Sequence, residues 1–140
     1  MNKPKIIRLA LANLMITIGI SIYVLFRKDI VFFEWISPTL LKPLNMDNHF
    51  WGGHFIVYCL PDGLWYFALL LFQSTFLENK PSSKLLFYFS ILLPFALEIL
   101  QLYGITPGTF DLMDIATYIL TLIIFFTFAK LSCVTKERNY

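Results

Sequence analysis

Four apolar stretches of about twenty residues each set the strongest limit on what this chain can fold into. A helix needs about 20 apolar residues to cross the hydrocarbon core of a bilayer. Hydrophobic residues make up 58% of the 140 residues and charged residues 14%, which is more apolar surface than one soluble core hides. The sequence therefore predicts an all-α integral membrane protein, a four-helix bundle in a single transmembrane domain over residues 1–140. The predicted spans cover residues 6–26, 61–77, 85–103 and 111–131.

The first stretch follows Lys3 and Lys5, as the apolar region of a signal peptide would. It is longer than such regions usually are, and no A-x-A cleavage site follows it before Arg27 and Lys28. We therefore interpret it as a span that the protein retains.

The positions of lysine and arginine predict the orientation of the chain. With the N-terminus inside, eight of the 11 basic residues fall on the inner side, and Arg27, Lys28 and Lys42 fall on the outer side. The positive-inside rule then places both termini in the cytoplasm. The net charge is only +2 and the basic residues are scattered, so no nucleic-acid partner is expected.

The region between the first two spans, residues 29–60, is less regular than the spans. Aromatic and aliphatic residues alternate with charged ones, and Pro38 and Pro43 interrupt it, which is typical of a segment lying in the membrane interface. An apolar run over residues 50–77 overlaps the end of this region and contains Pro61. Proline is tolerated at a first helical position and costly in an interior. The run is either one kinked helix or a short, re-entrant segment followed by a span that begins at Pro61, and we favour the second.

Three carboxylates on different predicted spans fall at one depth in the membrane. A rise of about 1.5 Å per residue places Asp62 and Asp114 about 24 Å, and Glu98 about 21 Å, from the charged residues at the cytoplasmic ends of their spans. Gln101 is level with them at about 25 Å, and His54 lies above. The predicted ligand-binding pocket consists of Glu98, Gln101, Asp62, Asp114, Asp111 and His54.

Most of these residues also have a purely structural explanation. Asp62 can occupy the first turn of a helix, where the helix dipole favours a carboxylate. Asp111 and Asp114 have the spacing of an N-cap and its N3 partner, and His54 can be an ordinary interfacial histidine. Glu98 lies in the middle of a span, where a charge costs several kcal/mol unless it is paired. Glu98 is therefore the strongest candidate for a functional site.

The neutral polar residues of the first span predict ordinary helix contacts. Asn13, Thr17 and Ser21 recur at helical spacing, and lipid disfavours polar groups, so we expect this face to point into the bundle. Interhelical hydrogen bonds there would contribute about 0.6–2 kcal/mol each.

Acids gathered at one level need protons or positive charge. Like charges oppose each other's ionisation in a dry site, so either one acid is protonated or a cation joins them. That cation is a metal, a proton, a substrate amine or a basic residue of a partner, because no lysine or arginine is predicted at that depth. Cys59 and Cys133 stand in no CxxC or Cys/His spacing. We therefore interpret both as small apolar residues and predict no metal motif and no cofactor.

Three short motifs carry a resemblance to a known family. His54-Phe55-x-x-Tyr58, Glu98-x-x-Gln101 and the run from Pro107-Gly108 through Phe110-Asp111-x-x-Asp114 resemble the VanZ-like family of small bacterial membrane proteins, over residues 47–125. The family usually has an arginine just after the Pro-Gly pair, where Thr109 follows here, so the chain resembles a divergent member. The resemblance implies a bacterial inner-membrane protein of the cell envelope. The founding member is linked to tolerance of the glycopeptide teicoplanin, and the family's biochemical activity is not settled.

Two functions fit these residues. The first is a pocket near the outer headgroups that binds a lipid headgroup, an envelope precursor or a glycopeptide-related ligand. The alternative is a small scaffold or accessory subunit of a larger membrane complex, in which a basic residue of a partner pairs with the acids. A proton or cation pathway ranks below both. An enzymatic function stays open, although the sequence gives it less support. Glu98 or Asp62 could act as an acid or base beside His54, but no nucleophile motif is present.

Overall fold

The computed structural model describes residues 3–26, 51–77 and 81–137. Within these ranges the chain forms helix α1 (Lys3–Phe26), helix α2 (Trp51–His54), a π-helical turn π1 (Phe55–Cys59), and helices α3 (Leu60–Phe76), α4 (Pro81–Leu102) and α5 (Leu112–Glu137). Four helical segments are long and apolar enough to cross a membrane: Lys5–Phe26, Phe55–Phe76, Pro81–Leu102 and Leu112–Lys130. This confirms the predicted all-α fold with four membrane-spanning helices.

The second span differs from the favoured prediction. No break separates it from what precedes, because α2, π1 and α3 follow one another directly, and the backbone at Cys59 and Leu60 is helical. The predicted span from Pro61 thus begins earlier, at Phe55. The predicted interfacial segment 29–60 is helical over its last ten residues, and its part from 29 to 50 lies outside the described residues.

The π-helical turn explains why Pro61 does not end this helix. A proline in an α-helix has no N–H to donate and presses on the carbonyl four residues earlier. In π1 the hydrogen bonds reach five residues back, as the Leu60 N–H donates to the Phe55 carbonyl. The wider turn shifts the carbonyls away from the position that a proline ring would strike. The same turn places Pro61 in the first turn of α3, where proline is tolerated.

Helix α3 lies at the centre of the bundle. It packs against α1, α4 and α5, and 44% of the residues in its most apolar stretch are buried, against 11% in α1 and 11% in α4. Its fully buried residues Leu70 and Leu71 pack in one cluster with Tyr66, Tyr118 and Phe125. Many large apolar side chains of α1, α4 and α5 face outward, as expected of surfaces that lipid covers.

Two contacts fix the neighbours of α3. The Tyr66 hydroxyl donates a hydrogen bond of 2.8 Å to the Ile91 carbonyl, in the turn of α4 that precedes Pro94. On the other side, Gly63 allows α5 to approach closely: a Cβ at Gly63 would lie 2.6 Å from Thr117 Cγ2. The start of α3 is thereby held against α5.

The polar face predicted to point inward from α1 does not do so. Asn13, Thr17 and Ser21 are exposed, and each donates a hydrogen bond to the carbonyl four residues earlier in α1. A hydroxyl or amide that bonds its own helix carries little polar character into lipid. The helix satisfies these side chains locally, so no neighbouring helix is needed.

Candidate functional site

The turn between α4 and α5 brings the end of one helix to the start of the next. Gly104, with a φ of 67°, ends α4: its N–H donates to the Gln101 carbonyl, and the Ile105 N–H donates to the Leu100 carbonyl. This is the Schellman arrangement, which favours glycine because the backbone is left-handed there. The chain then returns after a few residues to begin α5 at Leu112.

Gln101 packs against this turn. Its amide nitrogen donates a 3.5 Å hydrogen bond to the Pro107 carbonyl. Gly108 has a φ of 125°, and a Cβ there would lie 2.7 Å from the Gln101 Nε2 atom. The side chain of Gln101 is half-buried and helps to hold the α4–α5 turn.

Glu98 lies inside the bundle, one turn of α4 before Gln101. Its side chain is only 4% exposed, and its Oε2 atom accepts a hydrogen bond of 3.3 Å from the backbone N–H of Asp111. Asp111 and Asp114 both lie within electrostatic range of Glu98. The structure thus places Glu98 away from lipid and beside two acids of α5.

Asp111 and Asp114 form the start of α5. The Oδ1 atom of Asp111 accepts a 2.8 Å hydrogen bond from the Met113 N–H, as an N-cap residue does. Asp114, at the N3 position, has a buried carboxylate oxygen, and the Cys59 thiol lies within electrostatic range of this acid. Asp111 therefore has the capping role that its spacing suggests, whereas its own N–H is donated to Glu98 and not to Asp114. Both acids lie within electrostatic range of Glu98.

Asp62 lies in the first turn of α3. It lines a cavity of about 200 Å³ whose other walls include Pro94 and Leu97 of α4 and Tyr118 of α5. The buried Tyr118 has Asp62, Asp114 and Glu98 within electrostatic range. Tyr118 thus connects the acid of α3 with those at the other two helices.

His54 lies at the outer edge of this group. It is exposed, and its ring stacks on Tyr58 with centroids 4.7 Å apart. One ring nitrogen of His54, the Cys59 sulfur and a carboxylate oxygen of Asp111 all lie within 4.8 Å of one another. The predicted His54 is therefore close to the acids of α5, and it brings Cys59 with it.

Neither Cys59 nor Tyr118 is among the predicted ligand-binding residues, but both lie within electrostatic range of these acids. Tyr118 follows Asp114 by four residues, which is one helical turn, and this spacing could have indicated it. Cys59 follows His54 by five residues, which in an α-helix would turn the two side chains about 140° apart. A π-helix pairs residues five apart, so π1 aligns them.

Positive charge within the described side chains lies at the other end of the bundle. Lys84 precedes Glu98 by 14 residues of α4, and Lys130 follows Asp114 by 16 residues of α5, which correspond to about 21 and 24 Å. Lys5 and Arg8 lie near the start of α1. The next residue, Leu9, lines a groove together with Phe76, so this part of α1 lies beside the end of α3. None of these four basic side chains therefore lies beside Glu98 or Asp114.

Comparison of the chain with protein family models, with curated proteins and with solved structures finds no match. The resemblance to the VanZ-like family stays a prediction that rests on the motifs alone. Function must be argued from the pocket itself.

Proposed function

We propose that this chain is a VanZ-like protein of the bacterial inner membrane, with both termini in the cytoplasm. In this proposal the pocket formed by Glu98, Asp111, Asp114 and Asp62 binds the headgroup of a lipid or of a lipid-linked precursor of the cell envelope. A glycopeptide-related ligand that carries the same amine chemistry belongs to the same class. The positive-inside rule puts the pocket at the periplasmic end of the bundle.

The main support for this proposal is the burial of the Glu98 side chain. A carboxylate removed from water in a membrane helix costs several kcal/mol unless it has partners. One backbone N–H from Asp111 offsets part of that cost, while the neighbouring acids Asp111 and Asp114 add to it. A fold that needed only a stable bundle would be better served by leucine at this position. The acid is more simply explained by a ligand that supplies positive charge or a proton.

The surroundings of the acids suit a molecule with both polar and apolar parts. The cavity beside Asp62 is lined mostly by apolar residues, among them Leu93 and Leu97. Of the residues near the acids, His54 is exposed and Glu98 is buried. A lipid headgroup with an amine would place its charge among the carboxylates while its chain follows the apolar wall.

The alternative function, a scaffold subunit of a larger complex, relies on free helix faces. Helices α1 and α4 bury only 11% of their most apolar stretches. Lipid covers such faces as readily as another protein does, so this observation favours neither function. The experiment below separates them, because a scaffold would be purified with a second protein.

Native mass spectrometry of the purified protein tests the proposal. We expect wild-type protein in mild detergent to retain added phosphatidylethanolamine, which has an amine, more strongly than phosphatidylglycerol, which has none. Glu98→Gln keeps the shape of the side chain and removes its charge. We expect this variant to lose the preference, with retention of phosphatidylethanolamine reduced about tenfold.

Ser90→Ala is a matched control on the same helix. Ser90 is buried like Glu98, lies eight residues earlier, and its hydroxyl donates a hydrogen bond to the Leu86 carbonyl of its own helix. It should retain the lipid as wild type does. Equal retention by Glu98→Gln and wild type would refute the proposal, and a stoichiometric second protein in both would establish the scaffold function instead.

A further inference from the structure

We propose that His54, Cys59 and Asp111 form a binding site for a divalent transition-metal ion, with Zn²⁺ as the ion that fits best. The three candidate ligand atoms, an imidazole nitrogen, the thiol sulfur and a carboxylate oxygen, lie within 4.8 Å of one another. They belong to three separate places in the chain: the end of α2, the end of π1 and the residue before α5. The fold brings them together.

The local geometry explains how the site is assembled. The π-helical turn puts His54 and Cys59 on one face, which an α-helix would not do. Asp111 is fixed from two sides, because its N–H donates to Glu98 and its Oδ1 caps α5. A carboxylate has a second oxygen, so capping and metal binding are compatible. Turns of π-helix occur frequently at functional sites.

The ligand chemistry is that of a zinc site. Zinc is held tetrahedrally by cysteine sulfur at about 2.3 Å and by histidine nitrogen or carboxylate oxygen at about 2.0–2.2 Å. Two such ligands on one ion are roughly 3.3–3.7 Å apart, so the observed limit of 4.8 Å requires side-chain movements of about 1 Å. Such movements are within the range of rotamer adjustment. Cysteine binds as the thiolate, and its proton passes to solvent.

The surroundings supply the partners that metal ligands require. Asp114 lies within electrostatic range of the Cys59 thiol, so it stands near the site as a supporting carboxylate would. Glu98 accepts the Asp111 N–H and so orients the ligand Asp111 from behind. Cys59 is 0% exposed while His54 is exposed, so the ion has a dry inner side and an open outer side.

A bound metal ion also explains how an acidic pocket could bind a negatively charged phosphate headgroup. Three protein ligands leave the fourth position for an oxygen ligand, as in zinc sites that bind substrates. At this end of the bundle that oxygen can be a phosphate oxygen of a lipid headgroup. The assignment of a lipid phosphate oxygen as the fourth ligand rests on the proposed function, since both concern the same pocket. Metal binding itself does not, because it is measured in detergent without added lipid.

Cobalt titration of the untagged full-length protein tests the inference. Co²⁺ takes the geometry of Zn²⁺, and a thiolate ligand gives it a strong charge-transfer absorption. We expect wild-type protein to develop this band at one Co²⁺ per chain and to lose it when Zn²⁺ is added. Cys59→Ser should show no band, and Asp111→Asn should bind at least tenfold more weakly. Asp114→Asn should weaken binding by about 10–100-fold, the usual effect of an outer partner.

The second cysteine provides the matched control. Cys133 lies 19 residues beyond Asp114 in α5, about 28 Å along the helix, so Cys133→Ser should keep the band unchanged. His54→Ala changes an exposed residue and is expected to fold, which circular dichroism verifies; it should bind at least tenfold more weakly. The inference is overturned if wild type shows no band, if the band survives Cys59→Ser, or if folded His54→Ala binds as tightly as wild type. Zinc binding without lipid retention would retain this inference and refute the proposed function.

Discussion

Replacing Gly63 with alanine should destabilise the bundle where α3 meets α5. The new Cβ would lie 2.6 Å from Thr117 Cγ2 and 3.2 Å from Thr121 Oγ1. Carbon atoms in contact prefer about 3.5–4.0 Å, so the methyl group is about 1 Å too close to Thr117. Thr117 cannot simply rotate, because its hydroxyl donates a 2.8 Å hydrogen bond to the Met113 carbonyl. Helix α5 must therefore move or the hydrogen bond must break.

The expected magnitude follows from two opposing effects. Overpacking of this kind costs about 1–3 kcal/mol. Alanine also favours a helix over glycine by about 1 kcal/mol, so the net loss of unfolding free energy for Gly63→Ala is about 0–2 kcal/mol, and the variant should be about 1–3 kcal/mol less stable than a variant that gains only the helix preference. Gly53→Ala isolates the second effect, because a Cβ at Gly53 meets nothing within 4 Å. That control variant should be as stable as wild type or slightly more stable.

Unfolding in mixed micelles with increasing sodium dodecyl sulfate measures these free energies. Thr117→Ser removes the Cγ2 methyl and keeps the hydroxyl, so it should restore most of the stability that Gly63→Ala loses. The double variant should be at least about 1 kcal/mol more stable than the sum of the single variants predicts. If Gly63→Ala is as stable as Gly53→Ala, or if Thr117→Ser gives no rescue, the close approach of α3 and α5 is wrong.

Two further substitutions test the contacts that shape the pocket. Tyr66→Phe removes the hydroxyl that donates to Ile91, and the same micelle titration should show a loss of about 0.5–1.5 kcal/mol. Asp111→Ala removes the cap of α5 and should cost about 0.5–2 kcal/mol of unfolding free energy, whereas Asp111→Asn retains a capping oxygen and should cost much less. Equal stability of the alanine and asparagine variants would show that the cap contributes nothing.

The four spans are predictable because they depend on hydrophobic length alone. Each predicted span overlaps one of the helices, but α4 begins four residues before the predicted third span, α5 continues to Glu137, and the second span begins before Pro61, where a break was expected. A proline ends a helix only if its carbonyl clash cannot be relieved, and the five-residue hydrogen bonds of π1 relieve it. No pattern of apolar residues distinguishes a π-helical turn from an α-helical one, so the sequence could not predict that the helix accommodates Pro61.

The acidic pocket was predictable in part. Glu98 had no structural explanation at mid-helix, and depth along each span correctly brought it near the acids of α5. Cys59 was not predicted as a site residue because its five-residue separation from His54 is not an α-helical spacing. The exposed serine and threonine of α1 were assigned to the interior because lipid disfavours polar groups. That reasoning neglected the hydrogen bonds which such side chains make to their own helix.

Solid-state nuclear magnetic resonance in lipid bilayers tests the central arrangement most directly. With glutamate labelled by ¹³C at the carboxyl carbon and aspartate labelled by ¹⁵N at the backbone, the Glu98 signal is assigned by its loss in Glu98→Gln. The 3.3 Å contact between Glu98 Oε2 and the Asp111 nitrogen predicts strong dipolar dephasing of this carboxyl signal by ¹⁵N. A Glu98 signal without dephasing, which instead shows transfer from lipid acyl protons, would place the acid in the bilayer and contradict the pocket.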